Sequence, residues 1–168
     1  MKKNISSFEK IICVKFKNQN LLLQSLTHKS NNPLNNNEKL EFLGDRVLGL
    51  IISKNLYKLF PNDKEGDLDK KLASLVNRKR CVEFSNYLSL KDYVLVGDNK
   101  ENSKIENKIL ADTVESIVGA LYLDQGLDVT EKFILNYWKR FLNEKLTIYR
   151  DPKTCLLYTS DAADDTDS

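Results

Sequence analysis

The sequence is poor in the residues that most metal and redox chemistry relies on. It has one histidine, His28. HExxH zinc sites, HD-type phosphohydrolases and ExxH di-iron bundles each need more histidine than that. Its cysteines, Cys13, Cys81 and Cys155, are odd in number, far apart and form no CxxC. That pattern argues against a disulfide framework and a zinc knuckle. No apolar run approaches the roughly 18 residues of a membrane span. The opening "MKKNISSFEK" lacks the apolar core of a signal peptide. There is no internal repeat and no Gly-rich phosphate loop, so neither a membrane partner nor a small-molecule cofactor is expected. A cytoplasmic location is the default expectation.

What remains is ordinary in bulk. A chain of 168 residues, 41% apolar and 30% charged, can bury a real core as one domain plus a tail. Formal net charge is +2. Setting aside the four Asp of "CLLYTSDAADDTDS" leaves +6 over residues 1–154. A mildly basic body suits a polyanionic partner, though many proteins without one are as basic.

Periodicity and caps predict helices nearly everywhere, hence an all-α fold. Residues 5–13 form an amphipathic segment with Phe8, Ile11 and Ile12 facing in. "NQNLLLQSLTHKS" predicts a second helix ending near the Asn-rich loop 31–37. A third runs over about 38–60, capped either by an Asn35/Glu38 box or by Asn37 directly, and is stopped by Pro61. "NDKEGDLDKKLASLVNRKR" predicts a fourth, with acids in its first turn and bases in its last, a polarity that suits the helix dipole. Another lies near 79–88. "DYVLVG" is a brief extended piece and "DNKENSK" a loop. Ser103 and Glu106 form a box-like cap for a helix over about 104–124, with Gly126 just past its end. The last helix covers 128–147, with Phe133, Ile134, Trp138, Phe141 and Leu142 apolar.

Two acid pairs stand out. Glu41 and Asp45 are four apart on the third helix, and Asp112 and Glu115 three apart on the sixth, so each pair shares a helix face. The second pair sits in "ILADTVESIVGALYLD", apolar on most of its circumference and therefore expected to be buried. Buried carboxylates persist when paired, protonated or metal-bound. Gly119, one turn on, lets something approach closely. If the two pairs face each other, four carboxylates converge. Hard divalent cations such as Mg²⁺ take such oxygen ligands, and a carboxylate-held Mg²⁺ suits phosphodiester hydrolysis. The alternative for Glu41 and Asp45 is a solvated, dipole-stabilised first turn. Spacing alone does not bring the two helices together.

Four stretches, in order, resemble the ribonuclease III family. These are "LTHKS" (26–30), "EKLEFLGDR" (38–46), "FPNDKEGDLDKKLASLVNR" (60–78) and "ILADTVESIVGALYLDQG" (109–126). The resemblance covers about residues 5–154, and the nine-residue stretch matches the family signature. It implies an all-α nuclease domain over residues 1–150 that works as a homodimer on double-stranded RNA. Each subunit would cut one strand, leaving 5′-phosphate and 3′-hydroxyl ends with short 3′ overhangs. Implied roles are ribosomal RNA precursor and mRNA processing. By position, Glu41, Asp45, Asp112 and Glu115 correspond to ligands of Mg²⁺, with Mn²⁺ as a substitute ion. Glu115 would matter most for cutting, and Asp45 would share in it. Glu38 and Glu65 match supporting acids of the site. Phe42 would face the partner subunit, and Gly44 would mark close backbone packing.

Lys104 and Lys108 are phosphate candidates. Within "NRKR" (77–80), Arg78 can touch RNA, or the run can be a solvated helix end. His28 is assigned no catalytic role. Two features depart from the family. Its "GGR"-like loop is replaced by "GDNKENSKIENK". Residues 151–168 read as a truncated linker and an artefactual disordered tail where a double-stranded-RNA-binding domain is expected. Loss of that domain would make cleavage salt-sensitive. The main alternative is a non-catalytic module of the same fold that binds RNA or dimerises. A carboxylate-metal hydrolase of small phosphates is a third.

Overall fold

The computed structural model describes residues 4–98 and 105–149. Seven α-helices follow in order: α1 (Ile5–Ile12), α2 (Gln19–Ser25), α3 (Glu38–Leu59), α4 (Glu65–Leu75), α5 (Arg78–Tyr87), α6 (Asn107–Gln125) and α7 (Leu127–Tyr149), with a 3-10 turn at Leu90–Asp92. Among the described residues there is no strand, only an isolated parallel bridge between Thr27 and Leu95. The all-α expectation holds. The expected tail, 151–168, and Ser103 of the expected cap lie outside the described residues.

The chain forms two compact units, Met1–Tyr137 and Trp138–Ser168. In the second, the rings of Trp138 and Phe141 meet edge-on with centroids 6.3 Å apart. The first is organised around α6. Its Ile109–Ala111, Val114, Ile117, Val118, Ala120 and Leu121 are all buried. A helix apolar on nearly every side needs neighbours all round, and α2, α3 and α5 supply them.

The α3–α6 crossing is set by two glycines. A Cβ added at Gly44 would lie 1.6 Å from the carbonyl oxygen of Glu115, and one at Gly119 2.2 Å from that of Leu40. No side chain fits at either point, so the two backbones touch there. Gly49, one helical stretch further along α3, has nothing within 4 Å of such a Cβ.

Four local expectations are corrected. Helix α2 stops at Ser25 instead of running through "LTHKS", because Leu95 N–H donates to Leu26 and His28 N–H to Leu95, which draws the chain into the bridge. The predicted fourth helix ends early, before the bases, and the helix expected near 79–88 takes them up. Helix α4 ends at Leu75, and the side chain of Asn77 accepts from Arg80 N–H to start α5. Arg78, Lys79 and Arg80 therefore stand in the first turn of α5, where the dipole disfavours cations, and not in a last turn. At the start of α3, Asn37 holds the N-cap position, its carbonyl accepting from Glu41 N–H, but neither its side chain nor that of Asn35 makes a capping bond. Glu38 N–H instead donates to Asn36 Oδ1 at 3.1 Å. Ile11, expected inside, is exposed.

Candidate metal centre

Because Gly44 touches Glu115 and Gly119 touches Leu40, the acids flanking these glycines are forced together. One carboxylate oxygen each from Glu41, Asp112 and Glu115 lie within 4.8 Å of one another. All three side chains are half-buried. Asp45 stands outside that trio by distance, but it is the strongest like charge acting on Glu115 and its carboxyl can share a proton with it.

The electrostatic consequence is large. Burial, then repulsion by Asp45, Glu41 and Asp112, pushes the Glu115 carboxyl from 4.5 up to about 8. Burial, then Asp112, also raises Glu41. The same acids reach the core beneath them. Burial first, then the fields of Glu115, Asp45 and Asp112, push the Cys81 thiol up to about 12. Cys81 is thus a protonated packing residue and the donors facing one another are hard oxygens. Nothing in the spacing of the sequence announces its nearness to the acids.

The other predicted residues separate into several places. Lys108 Nζ donates to Asp112 Oδ2 at 2.6 Å. Arg78 is near enough to Lys108 to repel it. Glu38 is ion-paired with Lys29 at 3.2 Å, and its charge is the weakest of those acting on Glu41. Glu65 is not part of the trio. It lines a groove between α3 and α4 with Ser53, Tyr57, Leu68 and Leu72. Phe42 is 63% exposed with the Arg46 guanidinium 4.1 Å above its ring, and Arg46 also pairs with Asp45 at 3.2 Å. Lys104 lies outside the described residues. His28 bonds through Nδ1 to the Ser30 hydroxyl at 2.7 Å.

Two residues of the site's border were not singled out by sequence reasoning, although both lie inside matched stretches: Lys29 in "LTHKS" and Arg46 at the end of "EKLEFLGDR". Gly97, outside the matched stretches, is packed against Ser30. It accepts no side chain because a Cβ there would lie 2.5 Å from the Ser30 carbonyl oxygen, and its N–H donates to Ser30 Oγ. The "THKS" turn therefore anchors the start of the loop leading to α6.

The family model for ribonuclease-III-like domains matches residues 18–141. The chain belongs to the ribonuclease III family. It is 51% identical to ribonuclease 3 of Pelagibacter ubique over 157 residues, which cover 93% of this chain and 71% of that protein. It is 41% identical to ribonuclease 3 of Aliarcobacter butzleri, covering 90% and 69% respectively. Its fold matches the solved nuclease domain of Campylobacter jejuni ribonuclease III with a TM-score of 0.79 at 40% identity, over 82% of this chain and 97% of that one. That structure concerns flexibility in a region involved in dimer formation. As a ribonuclease III, the chain is an endoribonuclease, and the three-carboxylate cluster lies within the matched residues.

Proposed function

We propose that this chain is a Mg²⁺-dependent endonuclease that hydrolyses phosphodiester bonds of double-stranded RNA as a homodimer. The observation that carries the reading is the convergence of Glu41, Asp112 and Glu115, with Asp45 beside them, at a helix crossing that admits no side chain.

The donors fit the ion. Three oxygen ligands of mutual repulsion, two of them raised by desolvation, form a site that a hard divalent cation relieves. Glu41, Asp112 and Glu115 would hold it, with Asp45 acting on Glu115. When bound, such an ion supplies an activated water and neutralises charge on a phosphate. The remaining work falls to side chains. Glu115 must release its proton to serve as a ligand. Lys108, with Arg78 near it, places positive charge at the border, where the phosphates on either side of the cut would lie. Glu38, held by Lys29, supports the α3 end of the site.

The dimer reading rests on α3. Phe42, Leu50 and Tyr57 fall within one arc of the helix and are 63%, 56% and 75% exposed. That the Campylobacter jejuni relative's nuclease domain has a region involved in dimer formation supports a dimer. In a dimer each subunit would cut one strand and leave 5′-phosphate and 3′-hydroxyl ends with short 3′ overhangs. Mn²⁺ would substitute for Mg²⁺, and the working context would be rRNA and mRNA processing in the cytoplasm. Glu65, in its α3–α4 groove, would act in support and not as a ligand of its own subunit's site.

The deciding experiment is cleavage of a long perfect RNA duplex in low salt with Mg²⁺, comparing wild type with Glu115→Gln. Wild type should cut and the variant should only bind. If neither cuts while both bind RNA and dimerise, the chain is a non-catalytic module and the proposal fails.

A further inference from the structure

We infer that Lys108 is a resident counter-cation of the acid cluster, holding the Asp112 carboxylate in the place of the divalent ion and giving it up when the ion binds. The inference rests on the metal-site reading above and adds a competitor to it.

Three observations carry it. Lys108 Nζ donates to Asp112 Oδ2 at 2.6 Å, and among the described residues this is the only ion pair made to a member of the trio. The pair is asymmetric: the Lys108 side chain is 60% exposed and that of Asp112 23%. The carboxylate is fixed in the crossing while the ammonium hangs from a flexible four-carbon stem one turn earlier on α6. Glu41 also draws Lys108 inward while Arg78 repels it. An ammonium bound this closely uses an oxygen that a divalent ion needs, and a cation of charge +2 beside it would repel it. Lys108 is therefore free to leave towards solvent and Asp112 is not. The chain lowers the repulsion among its acids without metal, at the expense of metal affinity.

The test is Mn²⁺ binding to the full chain without RNA, followed by the electron paramagnetic resonance of free Mn²⁺ at low ionic strength. Lys108→Met should bind about two- to fivefold more tightly than wild type, the range expected for releasing one partly exposed ion pair. Lys108→Arg, which keeps the charge, should bind no more tightly than wild type. The gain of Lys108→Met should shrink in 0.5 M KCl, about a 4 Å screening length. Equal or weaker binding by Lys108→Met, with binding abolished in Glu115→Gln, would overturn the counter-cation and leave the metal site standing. Undiminished binding by Glu115→Gln would overturn both.

Discussion

Replacing Glu115 with glutamine should make the metal-free protein more stable at pH 8 and leave it nearly unchanged at pH 4.5. The carboxyl is raised from 4.5 to about 8, by burial and then by Asp45, Glu41 and Asp112. Between those values the folded chain keeps a proton that the unfolded chain has released. Stability therefore falls as pH rises through that window, and the loss is complete above pH 8. Full conversion of the rise would give about 5 kcal/mol. The side chain is only half-buried, so solvent screening brings the expected figure to about 1–3 kcal/mol. Glutamine keeps the shape and removes the ionisation, so this penalty disappears in the variant.

Thermal unfolding of the full chain in EDTA, followed by circular dichroism, measures it. At pH 8 the variant's Tm should exceed wild type's by roughly 3–10 °C. At pH 4.5 both side chains are neutral and the two curves should nearly coincide. Adding Mn²⁺ at pH 8 should raise wild type, because the ion binds the folded state and replaces the lost proton. It should raise the variant much less. Equal Tm at pH 8, or an equal gain at both pH values, would refute the claim that the acids repel one another across the crossing.

Gly44→Ala drives a methyl group into the Glu115 carbonyl and should destabilise by about 3 kcal/mol or more in urea. Gly49→Ala on the same helix meets nothing within 4 Å and should stabilise by about 0.5–1 kcal/mol. Phe42→Ala removes a ring that is 63% exposed, so the protomer's melting should change little while analytical ultracentrifugation shows a shift to monomer. Lys71→Met leaves the Asp63 side chain, only 6% exposed, without its ammonium partner and takes the cation off the Phe60 ring 4.5 Å away. It should cost about 3 kcal/mol in urea unfolding, as expected when one side of a buried pair is removed.

The sequence shows why the elements of the site could be read and their meeting could not. Acid spacing on α3 and α6 is local, and both helices exist where periodicity places them. The meeting depends on Gly44 and Gly119 matching one another 75 residues apart in the chain. Each glycine alone says only that something comes close. The misread boundaries have the same origin. Asn77 is a good cap residue, but the pattern carries the fourth helix past Leu75 to the bases, and only the structure shows the Asn77 side chain accepting from Arg80 N–H to open α5. The end of α2 is dictated by Leu95, far along the chain. Glu65 opens α4 as its position suggests, but the groove it faces is formed with α3, which no local pattern records.

A site built this way opposes its own fold, and the scale of the two effects explains why it persists. Crowding four acids at the crossing costs about 1–3 kcal/mol at Glu115 when metal is absent. Burying a single leucine-sized side chain stabilises by about 1.5–3 kcal/mol, and α6 alone buries Ile109, Leu110, Val114, Ile117, Val118 and Leu121. The apolar sides of α6 therefore hold the acids together against their repulsion, and Lys108 removes part of what is left. The backbone contact at Gly44 then makes the arrangement rigid, because neither helix can slide without driving Cα into a carbonyl. Repulsion that cannot relax by movement can relax only by taking up a proton or a cation. On the metal-site proposal, the crossing would therefore bind a cation with an affinity that rises with pH, since each proton lost exposes another oxygen to charge.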